Sequence, residues 1–292
     1  MRHRVLFTSD IHGNEGQYRK LVNYAISIRA DSIVVSGDIA PLVSDEYLIK
    51  SQRRFLRDRL PKLLNPLRED LPDSRLFLMM GNEDCASNMD VLEREDPELF
   101  RMVHERRIRI TEEFDIVGYP YVPITPFMLK DWEKYDLSEI PGDLLETYTL
   151  RKATEYKLFG YKSTKTAWER FRFDPEMEKI DSIQKDLSDD LFCKKADKTV
   201  YVFHAPPYQT NLDMAYGRDH FGSMAIRLFI EKQQPYLTLH GHIHETVDLS
   251  GNFQQKIGKT LCLAAGNHPS VPQLSVLVFD LYDLHTGTRN TI

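Results

Sequence analysis

Residues 79–85 read MMGNEDC, and they follow an apolar run from Arg75 to Met80 that is typical of a buried strand. The predicted strand passes directly into a Gly-Asn turn that carries two carboxylates. Four further apolar runs end in side chains that can bind metal ions, at Asp10-Ile11-His12, Asp38, His204 and His242-Ile243-His244. Ligands of open α/β sheets bind beyond the carboxyl ends of the strands. The five endings therefore predict one common site.

The first third of the chain alternates short apolar runs with helical patterns, which indicates a layered α/β fold. The predicted strands are Val5–Thr8, Ser32–Val35, Arg75–Met80, Thr199–Phe203, Tyr236–Leu239, Thr260–Ala264 and Gln273–Phe279. Between the third and fourth of these, residues from about 127 to 198 are polar, tyrosine-rich and helical in places. We expect one domain over residues 1–292, with this segment as an insertion or cap.

Composition narrows the class of protein. The chain has 292 residues, of which 41% are hydrophobic and 28% charged, as expected of a globular domain. Its net charge of -6 argues against a protein that binds the backbone of nucleic acid. Its three cysteines, Cys85, Cys193 and Cys262, suit neither a disulfide framework nor a cysteine zinc site. The chain shows no signal-peptide pattern and no apolar run long enough for a membrane span. We therefore expect a cytoplasmic protein.

The donor types at the strand ends suit particular metals. In extended backbone, Asp10 and His12 lie on one face, as do His242 and His244, because successive side chains alternate. Imidazole and carboxylate together favour manganese, iron or zinc over calcium. The full set exceeds one tetrahedral ion, which predicts two. The alternative is that each ending is an ordinary capped turn.

The ordered set Asp10-Ile-His12, Gly37-Asp38, Gly81-Asn82, His204 and Gly241-His-Ile-His244 resembles the calcineurin-like metallophosphoesterase superfamily. Between His204 and Glu245 the chain is also similar to the Icc-related predicted phosphoesterases. The resemblance implies a four-layer fold, a two-sheet β-sandwich flanked by helices, with a centre of two divalent ions, manganese first and iron or zinc as alternatives. It implies that one ion is held by Asp10, His12, Asp38 and His244, and that Asp38 bridges to a second ion held by Asn82, His204 and His242.

The implied activity is hydrolysis of a phosphodiester or phosphomonoester by a metal-activated hydroxide, with Asp38 and Asn82 in the catalytic centre. Glu83 departs from the pattern, since most superfamily members have a histidine there that assists the leaving group. Two interpretations stay open. Glu83 is a protonated acid that replaces the histidine, or it faces away and makes a structural hydrogen bond.

Further candidates lie outside the ligand set. His220 and the amides of Gly222 and Ser223 precede an amphipathic helix, whose free N–H groups suit an anion, so we assign them to the phosphate or its leaving group. The alternative for His220 is a surface histidine that caps a turn. Asn14, at the end of the first motif, is a candidate substrate contact. We expect His240 to be packed inside its strand, and Asn267-His268 to form a turn at the rim of the site.

The insertion combines basic and aromatic side chains, which can bind phosphates and stack bases or can form a solvated helical face. They are Arg151, Lys152, Lys157, Lys162, Lys165, Arg170 and Arg172, with Tyr156, Tyr161, Trp168 and Phe171. We expect a binuclear phosphoesterase that acts on a small, nucleotide-like phosphorylated substrate. The alternatives are a nuclease of the superfamily and a non-catalytic binding scaffold. The sequence leaves the oligomeric state open.

Overall fold

The computed structural model describes residues 2–43, 47–142 and 157–292. Its strands are β1 Arg4–Thr8, β2 Ser32–Ser36, β3 Arg75–Met79, β4 Arg101–Met102, β5 Arg107–Arg109, β6 Asp115–Tyr119, β7 Val122–Pro123, β8 Glu133–Lys134, β9 Phe159–Ser163, β10 Trp168–Arg172, β11 Thr199–Phe203, β12 Leu237–His240, β13 Gln254–Ile257, β14 Thr260–Ala264, β15 Ser275–Asp280 and β16 Asp283–Thr291. The α-helices are α1 Glu15–Ile28, α2 Leu48–Arg54, α3 Leu60–Asp70, α4 Met89–Glu95, α5 Ile183–Asp186, α6 Asp190–Cys193, α7 Met224–Gln233 and α8 Thr246–Ser250. A π-helical turn, Phe55–Arg59, joins α2 to α3.

Two mixed sheets form the centre of the protein. The first has the order β16-β15-β1-β2-β3-β4, and the second has the order β13-β14-β12-β11-β6-β5. Strands β1 to β4 run parallel, and β6, β11, β12 and β14 run parallel in the second sheet. Parallel strands direct their carboxyl ends to one edge of a sheet, which is the edge that carries the metal-capable side chains.

The central strands are apolar on both faces because each sheet is covered on both faces, by the other sheet on one side and by helices on the other. In β1, Val5 and Phe7 belong to the core between the sheets, whereas Leu6 packs under the helices of the first sheet. In β11, Val200 and Val202 point to the same central core, and Tyr201 packs outward with residues of α7. Helices therefore flank a β-sandwich, which confirms the predicted four-layer fold.

The helix that follows β1 shows how the sequence specifies these outer layers. Asn14 caps α1 by accepting a hydrogen bond from the Gln17 amide at 3.1 Å. The buried face includes Tyr18, Leu21 and Ala25, at the spacing of one helical side. Among the described residues, no helix combines the length and apolar character that crossing a membrane requires.

The insertion differs from the helical interpretation over residues 157–172. Strands β9 and β10 form an antiparallel hairpin in which Trp168 pairs with Ser163 and Arg172 with Phe159. The hairpin packs on the chain after β7 through backbone bonds, such as Lys130 N–H to the Tyr161 carbonyl at 2.9 Å. Within the described part of the insertion, short helices follow the hairpin, at α5 and α6 and in two 3-10 turns. Arg151, Lys152 and Tyr156 lie outside the described residues.

Among the strands that were not predicted are two edge strands, β13 and β16. Strand β16 lies at the edge of the first sheet, beside β15, and most of its side chains are partly or fully exposed. Strand β13 has the same edge position in the second sheet. Both sequences are polar because an edge strand buries little surface, so neither shows the apolar run that marks the central strands.

Candidate metal centre

The loops that follow five strands meet at one edge of the sandwich. Asp10 and His12 follow β1, Asp38 follows β2 and Asn82 follows β3, which are neighbours in the first sheet. His204 follows β11, and His242 and His244 follow β12, its neighbour in the second sheet. The strand order therefore brings together side chains that lie more than 230 positions apart in the sequence, such as His12 and His244.

Four of these residues form a compact group. One ligand atom from each of Asp10, His12, Asp38 and His244 can be chosen so that all lie within 4.8 Å of one another. His12 Nε2 is 3.2 Å from His244 Nε2 and 3.7 Å from Asp38 Oδ2, and His244 Nε2 is 3.9 Å from Asp10 Oδ1. Bonds of about 2.1 Å to a metal place its ligands about 3.0–3.4 Å apart. The group therefore fits one divalent cation after small side-chain shifts.

A second group shares Asp38. His204 Nε2 lies 2.9 Å from Asn82 Oδ1 and 3.3 Å from Asp38 Oδ2. The other ring nitrogen of His204, Nδ1, donates to the Ser36 carbonyl at 3.0 Å, which directs Nε2 towards the group. The His242 ring lies beside it, with centroids 5.3 Å apart. Carboxylate, amide and imidazole donors thus surround a second position.

The two groups perturb each other's ionisation. Burial opposes charge on His204, but the Asp38 carboxylate and its hydrogen bond raise the pKa of that imidazole to about 9. Asp38 is also buried, yet His204 and His12 hold its pKa well below the usual range. Burial lowers the pKa of His12. The site therefore stabilises an ionised Asp38 and a neutral His12, the forms that bind metals.

The backbone of the site is tight. Gly81 touches the Asp38 loop, and a methyl group there would lie 2.5 Å from the Asp38 nitrogen and 2.6 Å from His204 Cε1. Gly37 has φ +87°, and it too adjoins the His204 ring. Side chains at either position would displace ligands, which explains why glycine precedes Asp38 and Asn82.

Three supporting residues had no assigned role in the sequence. The buried Asp84 carboxylate accepts hydrogen bonds from the amides of Ile39, Ala40 and Gly81, and so ties the loop after β2 to the loop after β3. Asn267, predicted only to lie at the rim, is fully buried and donates to the Asp10 carbonyl at 3.0 Å. Gln17 accepts from Asn267 at 3.0 Å. Asp84 belongs to the quoted motif, but its partners are remote in the sequence.

Glu83 faces the site. Its carboxylate oxygen Oε2 lies 3.6 Å from His12 Nδ1, and 23% of the side chain is exposed. Burial, followed by the charges of Asp38 and Asp10, raises the pKa of Glu83 to about 8. Bound divalent cations would add positive charge and lower that pKa. The orientation favours the interpretation of Glu83 as an acid at the site over a side chain that faces away.

The predicted anion site at α7 is wrong for the amides of Gly222 and Ser223. Gly222 N–H donates to Asp213 Oδ2 at 3.0 Å, and Ser223 N–H donates to the Pro206 carbonyl at 2.8 Å. The next two amides of the helix, together with the buried Ser223 hydroxyl, donate to Asp136. The helix start does hold an anion, as its dipole favours, but that anion is a carboxylate of the protein.

Asn14 and His220 also have internal partners. Besides capping α1, Asn14 donates to the Pro269 carbonyl at 3.0 Å, so both ends of its side-chain amide have partners within the protein, and the predicted substrate contact stays a prediction. His220 Nδ1 lies 2.7 Å from Asp213 Oδ1, which matches the alternative of a histidine that fixes a turn. His240 is confirmed as a packed strand histidine. It is fully buried, and its Nδ1 donates to the Ala205 carbonyl at 3.0 Å.

A cavity of about 470 Å³ opens beside the metal-capable groups. Asp38, Asn82, Glu83, His242 and His244 form its floor. The described basic residues of the insertion do not line it. Lys162, for example, lies over the Phe171 ring of its own hairpin at 4.1 Å.

Comparisons with known proteins agree with this architecture. Residues 3–246 match the family model described as calcineurin-like phosphoesterase. One crystal structure is similar at 16% identity and a TM-score of 0.61, covering 100% of this chain and 99% of its own. The crystal structure of TT1561 from Thermus thermophilus is similar at 18% identity and a TM-score of 0.57, with the same coverage. These likenesses show a shared fold. A search of curated proteins finds no significant match.

Proposed function

Because the chain belongs to the calcineurin-like phosphoesterase family, we propose that it hydrolyses a phosphoric ester of a small substrate with the aid of two divalent cations. One observation carries the proposal. The Asp38 carboxylate lies between two sets of donors, 3.7 Å from His12 Nε2 and 3.3 Å from His204 Nε2. A carboxylate in that position can bridge two ions. We assign Asp10, His12 and His244 to the first ion, and Asn82, His204 and His242 to the second.

The mixed donor set of imidazoles, carboxylates and one amide suits manganese, with iron and zinc as alternatives. Two such ions would lower the pKa of a bound water to give a hydroxide nucleophile, and would offset the negative charge of the phosphoryl group. The protein supplies their positions. His204 is oriented by the Ser36 carbonyl, and Asp38 also accepts the Glu83 amide at 2.9 Å, which fixes its carboxylate plane.

Glu83 takes the place where the resemblance implies a histidine, and it faces the cavity. In its protonated form it can donate a proton to a leaving alkoxide. We propose this role for Glu83, with Asp38 and Asn82 in the metal-binding part of the catalytic centre. The partner is a small phosphorylated molecule. The described cysteines Cys85, Cys193 and Cys262 are all free, which supports a cytoplasmic location.

The test uses protein stripped of metal and resupplied with manganese. We expect hydrolysis of bis(4-nitrophenyl) phosphate or 4-nitrophenyl phosphate, with about two manganese ions bound per chain. Asp38→Asn should lose both the hydrolysis and the bound manganese. Asp136→Asn is the matched control, because Asp136 is equally buried but caps α7 away from the site. It should keep its metal content and turnover. Two bound ions without turnover of either ester would contradict the proposal.

A further inference from the structure

The cavity beside the metal centre has apolar walls. Four loops contribute to them, with Leu42 after β2, Ile124 and Phe127 after β7, Phe221 before α7, and Ile243 between the two ligand histidines. Leu42 and Phe127 are large apolar side chains that are each 48% exposed. Exposed apolar side chains at the mouth of a cavity are typical of a binding site for an apolar group.

Buried residues on the side away from the cavity hold these walls in place. Ile124 is buried against Tyr135 and Phe173 of the insertion. The adjoining Thr125 amide and hydroxyl donate to Glu133, whose carboxylate is paired with Lys130. The cavity wall is therefore part of a packed structure, and its shape is preformed.

The lining also carries a carboxylate that is not assigned to a metal ion. Glu245 lines the cavity, and the described lining contains no lysine or arginine. Glu245 is fixed at the wall by accepting the Tyr216 amide at 3.1 Å. A ligand with negative charge beyond its reacting phosphoryl group would therefore be repelled and would find no counter-charge here.

We propose that the cavity binds an uncharged apolar group, aryl or alkyl, of a phosphodiester whose phosphoryl group lies at the metal centre. The inference rests on the proposed phosphoesterase function and names the substrate class. A diester has one negative charge and two substituents, so one substituent can fill the cavity while the other extends into solvent. Hydrolysis adds water across one P–O bond and releases an alcohol and a phosphomonoester. A polyanionic nucleotide or nucleic acid does not match these walls.

The experiment compares four phosphodiesters as ligands of the manganese-loaded protein, namely dimethyl, dibutyl, diphenyl and bis(4-carboxyphenyl) phosphate. Affinity is measured by isothermal titration calorimetry and, separately, by competitive inhibition of bis(4-nitrophenyl) phosphate hydrolysis. We expect dibutyl or diphenyl phosphate to bind at least about tenfold more tightly than dimethyl phosphate, since a hydrophobic pocket discriminates by that order. Whether the butyl or the phenyl ester is preferred identifies the group as alkyl or aryl. The added carboxylates should abolish the gain.

Two phenylalanines of the insertion provide a matched pair of variants. Phe127→Ala should reduce the preference for the apolar ester severalfold, because Phe127 lines the cavity. Phe159→Ala should not change it, because Phe159 is 57% exposed on the hairpin and is not part of the lining. Equal affinities for the four esters, or an unchanged preference in Phe127→Ala, would overturn the inference. If bis(4-nitrophenyl) phosphate is still hydrolysed, the proposed phosphoesterase function stands. Selective binding of the apolar esters without hydrolysis would refute the proposed function, but the inference that the cavity binds an apolar group would stand.

Discussion

Replacing Lys130 by methionine should destabilise the wall of the cavity by removing half of a buried ion pair. Neither the Lys130 nor the Glu133 side chain has exposed surface, and Lys130 Nζ donates to Glu133 Oε2 at 2.7 Å and to the Thr125 carbonyl at 2.8 Å. Loss of one partner of such a pair costs about 3–5 kcal/mol, because the other charge stays buried without compensation. We therefore expect the free energy of unfolding of Lys130→Met to fall by about that amount at pH 8.5.

A double variant separates the charge from the packing. Lys130→Met/Glu133→Gln leaves no buried charge and keeps an acceptor for the Thr125 amide, which now donates to Glu133 at 3.0 Å. Its remaining loss is mainly one hydrogen bond to the Thr125 carbonyl, about 1–2 kcal/mol. The double variant should therefore be about 1–4 kcal/mol more stable than Lys130→Met, as the difference between these ranges implies.

The ionisation of Glu133 makes the free energy of unfolding depend on pH. Burial raises the pKa of Glu133 from 4.5 to about 7 even with Lys130 beside it. A raised carboxyl pKa means that the contribution to stability is present below 4.5 and is lost as the pH rises through the folded-state pKa. Without Lys130 that pKa rises further, so the variant goes on losing stability above pH 7, by up to about 1.4 kcal/mol per unit, where the wild type has stopped.

Urea unfolding followed by circular dichroism at pH 6 and pH 8.5 measures all three effects. The cost of Lys130→Met should be smaller at pH 6, where Glu133 is protonated in the variant. The reasoning fails if Lys130→Met keeps the wild-type midpoint at both pH values, or if the double variant is as unstable as the single one.

Three further outcomes are expected. Ser223→Ala should lower the free energy of unfolding in urea by about 2–3 kcal/mol, because it removes a helix cap and a hydrogen bond to a buried carboxylate. It should leave inhibition by inorganic phosphate unchanged, and weaker inhibition would support the anion site predicted at the start of α7. Burial lowers the pKa of His104 from 6.5 to about 3, so the wild type should lose about 2 kcal/mol relative to His104→Phe between pH 6.5 and pH 5, because the unfolded wild-type chain takes up a proton there; acid–urea titrations of both proteins measure the difference. Gly81→Ala should reduce the manganese content measured by mass spectrometry, because its methyl group meets the Asp38 backbone at 2.5 Å, whereas Gly142→Ala, whose methyl group meets no atom of the described non-neighbouring residues within 4 Å, should not; equal content in both would contradict the close approach.

The metal-capable residues could be predicted from the sequence because each lies within five residues of the end of a strongly apolar strand. The apolar run at Arg75–Met80 and the Gly-Asn turn after it are contiguous, so local sequence carries the signal. The structure then adds only the order of the strands, which places the loops after β2 and β11 side by side.

The failed predictions concern partners that local sequence patterns do not show. The Gly222 and Ser223 amides donate to Asp213 and to the Pro206 carbonyl in the preceding loop, and Asp136, 88 residues from Met224, accepts the first amides of α7. A helix N-terminus attracts any carboxylate, and the sequence does not show which one the fold brings there. The hairpin at 159–172 failed for a related reason, since its pairing depends on docking against Met128 and Lys130.

The backbone of the metal centre was also beyond the reach of sequence patterns. Asp10, His12, Asp38 and His242 all have positive φ, between 47° and 71°, where a non-glycine residue is strained by about 1–3 kcal/mol. Adjacent backbone bonds hold this geometry, since His12 N–H donates to the Asp38 carbonyl at 2.8 Å and Asp10 N–H to the Gly37 carbonyl at 3.2 Å. These bonds join the loops that follow two parallel strands, so the stability of the sandwich compensates the strain. The ligands are therefore positioned by the fold, and cation binding does not have to supply the free energy that orders them.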